Sequence, residues 1–131
     1  MRTHVAAIAL LGALAQSAIA QAPSHGSPIG TWRGTSTCLV RPSSCNDEVV
    51  VYRITPLKAA DSLSVAAFKI VHGEEQDMGT LGCVLTNADG QIRCAIPRGV
   101  WQFSIHGDSL TGELKLPNET KFRDVRATRA R

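Results

Sequence analysis

The chain has 131 residues, with 14 Lys and Arg against 11 Asp and Glu, a formal net charge of +3. That balance is too even to point to a nucleic-acid-binding surface. No segment has the roughly 20 consecutive apolar residues that a membrane-spanning helix needs.

Residues 1–20 read as a secretory signal peptide. Arg2 and His4 give a short positive start, Val5 to Ala15 is almost wholly apolar, and Ala18-Ile19-Ala20 is a small-x-small cleavage site. Cutting after Ala20 removes one charge, Arg2, and leaves a mature chain of net charge +2. This segment predicts a secreted or periplasmic protein. Gln21 to Pro28, rich in Pro, Ser and Gly, reads as a flexible N-terminal arm. Residues 29–131 form a single domain.

From Ile29 onward, short β-prone runs alternate with turn signals. The expected strands are Ile29–Cys38, Glu48–Thr55, Ser62–His72, Met78–Leu85, Gln91–Ile96, Val100–His106, Ser109–Leu116 and Lys121–Arg129. The second contains Val49-Val50-Val51-Tyr52, a β-branched run suited to a pleated surface. No segment carries a long 3.6-residue apolar period, so little helix is expected. Short connections favour antiparallel neighbours. A meander of eight strands exposes two edges unless the first pairs with the last, and closure removes them. The predicted fold is therefore all-β: an eight-stranded antiparallel up-and-down barrel with room for side chains or one small ligand.

All four cysteines, Cys38, Cys45, Cys83 and Cys94, follow the signal segment. Four Cys in a small exported domain imply two disulfides, for which three pairings exist. Cys38–Cys45 and Cys83–Cys94 are favoured because each pair brackets a turn. The spacings lack the close pairs of a zinc site. Register tests the second pair. If the loop at Asn87-Ala88-Asp89-Gly90 is even, Cys83 faces Cys94, Leu85 faces Ile92, Leu81 faces Ile96, and all six point inward. A three-residue loop would split the cysteines between faces. The apolar pattern and the disulfide agree on the even loop. Closing so short a loop stabilises by about 2–3 kcal/mol on the chain-entropy model.

The Gly30-x-Trp32 opening, the eight short strands and an Arg in the last strand resemble the calycin superfamily. That group contains lipocalins, fatty-acid-binding proteins, avidins and small bacterial metalloprotease inhibitors. The likeness is to its small, secreted, lipocalin-like bacterial members. The resemblance implies that Trp32 sits at the closed end of the barrel and that an Arg of the last strand stacks across it. Arg129 fits by parity with Val125 and Ala127; Arg126 is the alternative.

Other motifs carry less. Gly107-Asp108-Ser109-Leu110 spells the signature of a serine esterase family, but no His follows Ser109, and His106 is expected on the opposite face. A hairpin turn is the simpler reading, and no enzyme activity is expected. His72, Glu74, Glu75 and Asp77 lack metal-ligand spacing and read as a solvated acidic turn. Asn118-Glu119-Thr120 fits a glycosylation pattern, but the signal segment looks bacterial and no glycan is expected. Lys121, Arg123, Arg126, Arg129 and Arg131 read as a polar strand face and a solvated tail. Neither a cofactor nor a metal is expected.

Trp101, Phe103, Ile105, Leu63, Val65, Leu85 and Ile92 are the candidate ligand-binding residues, with Leu81 and Ile96 also interior. They either fill the barrel as core or line a cavity. The functional expectation is a binding protein for a small apolar molecule. The alternative is a protein-interaction module, such as a protease inhibitor that uses Gln21–Pro28 or a rim loop. The turns near Pro56–Asp61, Gly73–Gln76 and Pro97–Gly99 are expected at the end away from Trp32.

Overall fold

The computed structural model describes Ser17, residues 26–86 and residues 90–131. The signal-peptide expectation and most of the arm lie outside the described residues. Eight strands follow in order: β1 (Gly30–Cys38), β2 (Glu48–Pro56), β3 (Ser62–Val71), β4 (Glu74–Thr86), β5 (Gln91–Ile96), β6 (Gly99–His106), β7 (Ser109–Lys115) and β8 (Lys121–Arg129). Each pairs antiparallel with the next, and β8 pairs with β1 to close the barrel. Among the described residues there is no helix that could cross a membrane.

The period-two pattern explains the filling. Trp32, Val50, Tyr52, Ile54, Val65, Ile92, Phe103, Ile105 and Val125 take the inward positions of their strands and pack into one cluster. Gly112 is part of that fit, because a Cβ there would stand 2.5 Å from the Phe103 ring. On the outer face Val51 is also buried. Phe68 pairs with it across the strands. Arg53 lies 4.7 Å over the Phe68 ring and donates two hydrogen bonds to Glu75, at 2.9 and 2.7 Å. Those bonds hold the Glu75 carboxyl below its usual range.

Both disulfides, Cys38–Cys45 and Cys83–Cys94, are formed. Leu85 pairs with Ile92, as the even loop requires. The expected facing of Leu81 and Ile96 does not follow. Among the described residues the β4–β5 ladder contains three pairs and stops at Val84↔Arg93, next to the bridge.

The strand β4 also starts earlier than expected. His72 and Gly73 form a two-residue turn with φ of 51° and 80°, the positive pair that matches the twist of a tight hairpin. Glu74 to Asp77 therefore belong to β4, which pairs with β3 from Val71↔Glu74 onward. Residues 74–82 of β4 run on without a β5 partner. A register shift at Ala67/Phe68 bends this hairpin.

One end of the barrel is sealed. Trp32 is fully buried, and its Nε1 donates to the Pro28 carbonyl at 2.9 Å. The Arg129 guanidinium lies 4.3 Å over the Trp32 ring. Its Nη1 donates to the Ile29 carbonyl at 2.8 Å, Nη2 to the Ser27 carbonyl at 2.6 Å, and Nε to Asp108 at 3.1 Å. Arg126, the alternative, points outward beside Asp124. Ser27 and Pro28 are thus tied across the barrel floor, so these two residues are not the free arm the sequence suggests.

Candidate functional site

Strand direction sets what gathers at the other end. β1 leaves Trp32 and arrives at Cys38, so the β1–β2 loop, the His72-Gly73 turn, the Pro97-Arg98 turn and the β7–β8 turn surround the open end. The Pro56–Asp61 turn does not join them. It connects the far end of β2 to the start of β3, beside the sealed floor. The sequence expectation misplaced it because strand direction alternates at every turn.

A cavity of about 280 Å³ opens at this end. Ser36, Glu48, Val50, Tyr52, Ala67, Met78, Gly79, Leu81, Trp101, Phe103 and Arg123 line it. Three other depressions, of about 290 to 350 Å³, lie on the outer wall among polar and charged side chains such as Arg93, Lys121 and Arg126. The open-end cavity alone among these reaches inward-facing aromatic residues.

Of the seven ligand-binding candidates, Trp101 and Phe103 line the cavity. Leu63, Val65, Ile92 and Ile105 lie in the packed cluster, and Leu85 packs against it. The interior is therefore divided: filled near Trp32 and hollow near the mouth. Leu81 lines the cavity, while Ile96 borders an outer depression.

The aromatic wall has an order. The Trp101 and Phe103 rings stack nearly parallel, with centroids 5.6 Å apart and an interplanar angle of 3°. Tyr52 meets Phe103 edge-on at 5.5 Å. Burial is the main force raising the Tyr52 phenol above its usual pKa, Arg123 opposes it, and Glu48 adds to it. The phenol is a neutral group at physiological pH.

The polar part of the wall centres on Arg123, a residue expected on a solvated face. Its side chain is only 13% exposed. It pairs with Cys38 on β1 and Leu114 on β7, which puts it on the inward face with Val125, Ala127 and Arg129. Nη1 donates to Ser36 Oγ at 3.0 Å, and Nη2 to the Asn46 carbonyl at 3.0 Å. Glu48 Oε2 lies 3.6 Å from Nη1 and offsets the buried charge. Parity along β8 was the signal that would have found Arg123.

The esterase-like motif takes a different place. His106 pairs directly with Ser109 across the β6–β7 hairpin, so they share a face instead of opposing. Both are exposed, and neither lines the cavity. Asp108 accepts from Arg129 as part of the sealed floor. Among the described residues no group of His, Cys, Asp and Glu is arranged to hold a metal ion.

No family model, curated protein or solved structure matches the chain.

Proposed function

We propose that this chain is an exported, calycin-like barrel that holds a small, mainly apolar molecule in its open-end cavity. One observation carries the reading: a hollow of about 280 Å³ with aromatic and aliphatic walls stands above a sealed floor. Its size lies near the lower edge of the roughly 300–1,000 Å³ of small-molecule pockets, and a few placed polar groups among apolar walls fit that class. Trp32 under Arg129 supports the calycin likeness. Two disulfides suit the oxidising compartment that the leader-like first 20 residues predict. No catalytic step is assigned.

Native mass spectrometry of protein recovered from the periplasm or medium tests this reading, with Ala67→Phe as the control that fills the cavity. A co-purifying small molecule on the parent, absent from the variant, is expected. An empty parent that also fails to take up any apolar probe would end the reading.

The alternative, a secreted protein-interaction module, draws support from residues 74–82 of β4, whose β5-facing edge has no ladder partner. A partner strand could add to that edge. Crosslinking from residue 76 to a co-secreted protein is the expected sign, and failure to inhibit secreted metallo- and serine proteases would remove the inhibitor version.

A further inference from the structure

We propose that the cavity selects a planar aromatic molecule that carries a hydrogen-bond acceptor, its ring stacked on Trp101 and its acceptor turned toward Arg123. This rests on the small-molecule reading above and names the chemistry it takes.

The aromatic stack is incomplete at one end. Phe103 is 1% exposed and Tyr52 is 4% exposed, so both are closed off by protein. Trp101 is the outermost ring of the three and remains partly exposed, with Phe103 against one side and the cavity beside it. A further ring can extend such an offset stack, whereas an alkyl chain gains only area. Small residues leave the required slot. Ala67 lines the cavity, and a Cβ added at Gly79 would meet no atom within 4 Å. Met78 closes the same space with a flexible, polarisable side chain suited to aromatic contact.

The acceptor preference comes from Arg123. Among the described residues its hydrogen bonds use Nη1 and Nη2, and none falls on Nε. Guanidinium has five N–H donors and no acceptor, so what it has left can only donate. The neighbouring charges bear on the ligand's sign. Glu48 lies near Arg123, and the Lys69 ammonium lies 4.0 Å from Glu48. The three sum to one positive charge, which disfavours a ligand ammonium and accepts either a neutral acceptor or an anion.

Tryptophan fluorescence reads this directly. The chain has two Trp, and Trp32 is fully buried under Arg129, so an emission change on binding reports Trp101. Three probes separate the features: 2-naphthoate (planar with acceptor), decanoate (same acceptor, no ring) and 2-naphthylmethylammonium (planar, cationic). Saturable quenching by 2-naphthoate is expected, with decanoate displacing it at least tenfold less well and the ammonium weaker still. Trp101→Leu should weaken 2-naphthoate binding at least tenfold, measured by calorimetry. Arg123→Lys, which keeps the charge and changes the donor geometry, should weaken it severalfold. Decanoate binding as tightly as 2-naphthoate would overturn the aromatic selection and leave the apolar-cavity reading standing. Binding that survives both Trp101→Leu and Ala67→Phe would place the site elsewhere and overturn the proposal. If none of the probes binds, this inference falls, and the small-molecule reading falls with it when native mass spectrometry also finds the parent empty.

Discussion

Strand β8 sends two arginines into the barrel, six residues apart on one face, and they do opposite things. Arg129 sits 4.3 Å over the Trp32 ring and directs its donors to the carbonyls of Ser27 and Ile29 and to Asp108, so that floor is finished. Arg123 is anchored to Ser36 and Asn46, but it borders open space. The sealed end is a packing problem solved with one large ring and one planar cation. The open end leaves a hollow of about 280 Å³ between its side chains.

This contrast can be broken most sharply at Trp32. Trp32→Ala should lower stability by about 3–5 kcal/mol, measured by urea unfolding, because a fully buried aromatic leaves a cavity that the strands cannot collapse into. Arg129→Ala should cost less, about 1–2 kcal/mol, through lost stacking and unmet carbonyls at a partly exposed site. At the other end, Ala67→Leu should change stability by less than about 1 kcal/mol, since the added carbons enter existing space where a filled core would resist them. A loss as large as that of Trp32→Ala would mean that the mouth is packed like the floor.

The smallest expected effect lies outside both ends. Lys121, then Lys115, hold the Glu113 carboxyl below its usual range by hydrogen bonding, against an opposing desolvation. A carboxyl depressed in the folded state stabilises above its unfolded pKa, and that contribution fades as pH falls through the folded value. Glu113→Gln should therefore cost under about 1 kcal/mol at pH 7, as partly exposed ion pairs do. The difference from the parent should vanish in strongly acid solution, seen in melting temperatures across pH.

The sealed end was legible in the sequence because its parts are local and periodic. Gly30-x-Trp32 marks where a strand begins, and counting by twos from Val125 reaches Arg129. The Cys83–Cys94 register was legible for the same reason: two alternating runs and one loop left a single consistent pairing. The same count backward from Val125 reaches Arg123, yet a cluster of basic residues near a terminus reads as solvated, and the inward turn of Arg123 was lost in that cluster. His72 was read as the end of a strand and Gly73–Gln76 as the turn, because a positive φ at His72 is a backbone property that His does not advertise. Of the cavity, the sequence offered Trp101, Phe103 and Leu81 as interior residues but left open whether they fill the barrel or line a hollow. The gap among Ala67, Gly79 and Leu81 lies where β4 runs on without a β5 partner, a tertiary arrangement that no local pattern encodes.

The Cys83–Cys94 bridge stands where that departure begins. Below it, β4 and β5 share their three ladder pairs, and separating them there means breaking backbone hydrogen bonds. Above it, moving β4 outward breaks none with β5. The covalent link stands like the stop of a zip, between the hydrogen-bonded part of the β4–β5 seam and the part that the ladder leaves open.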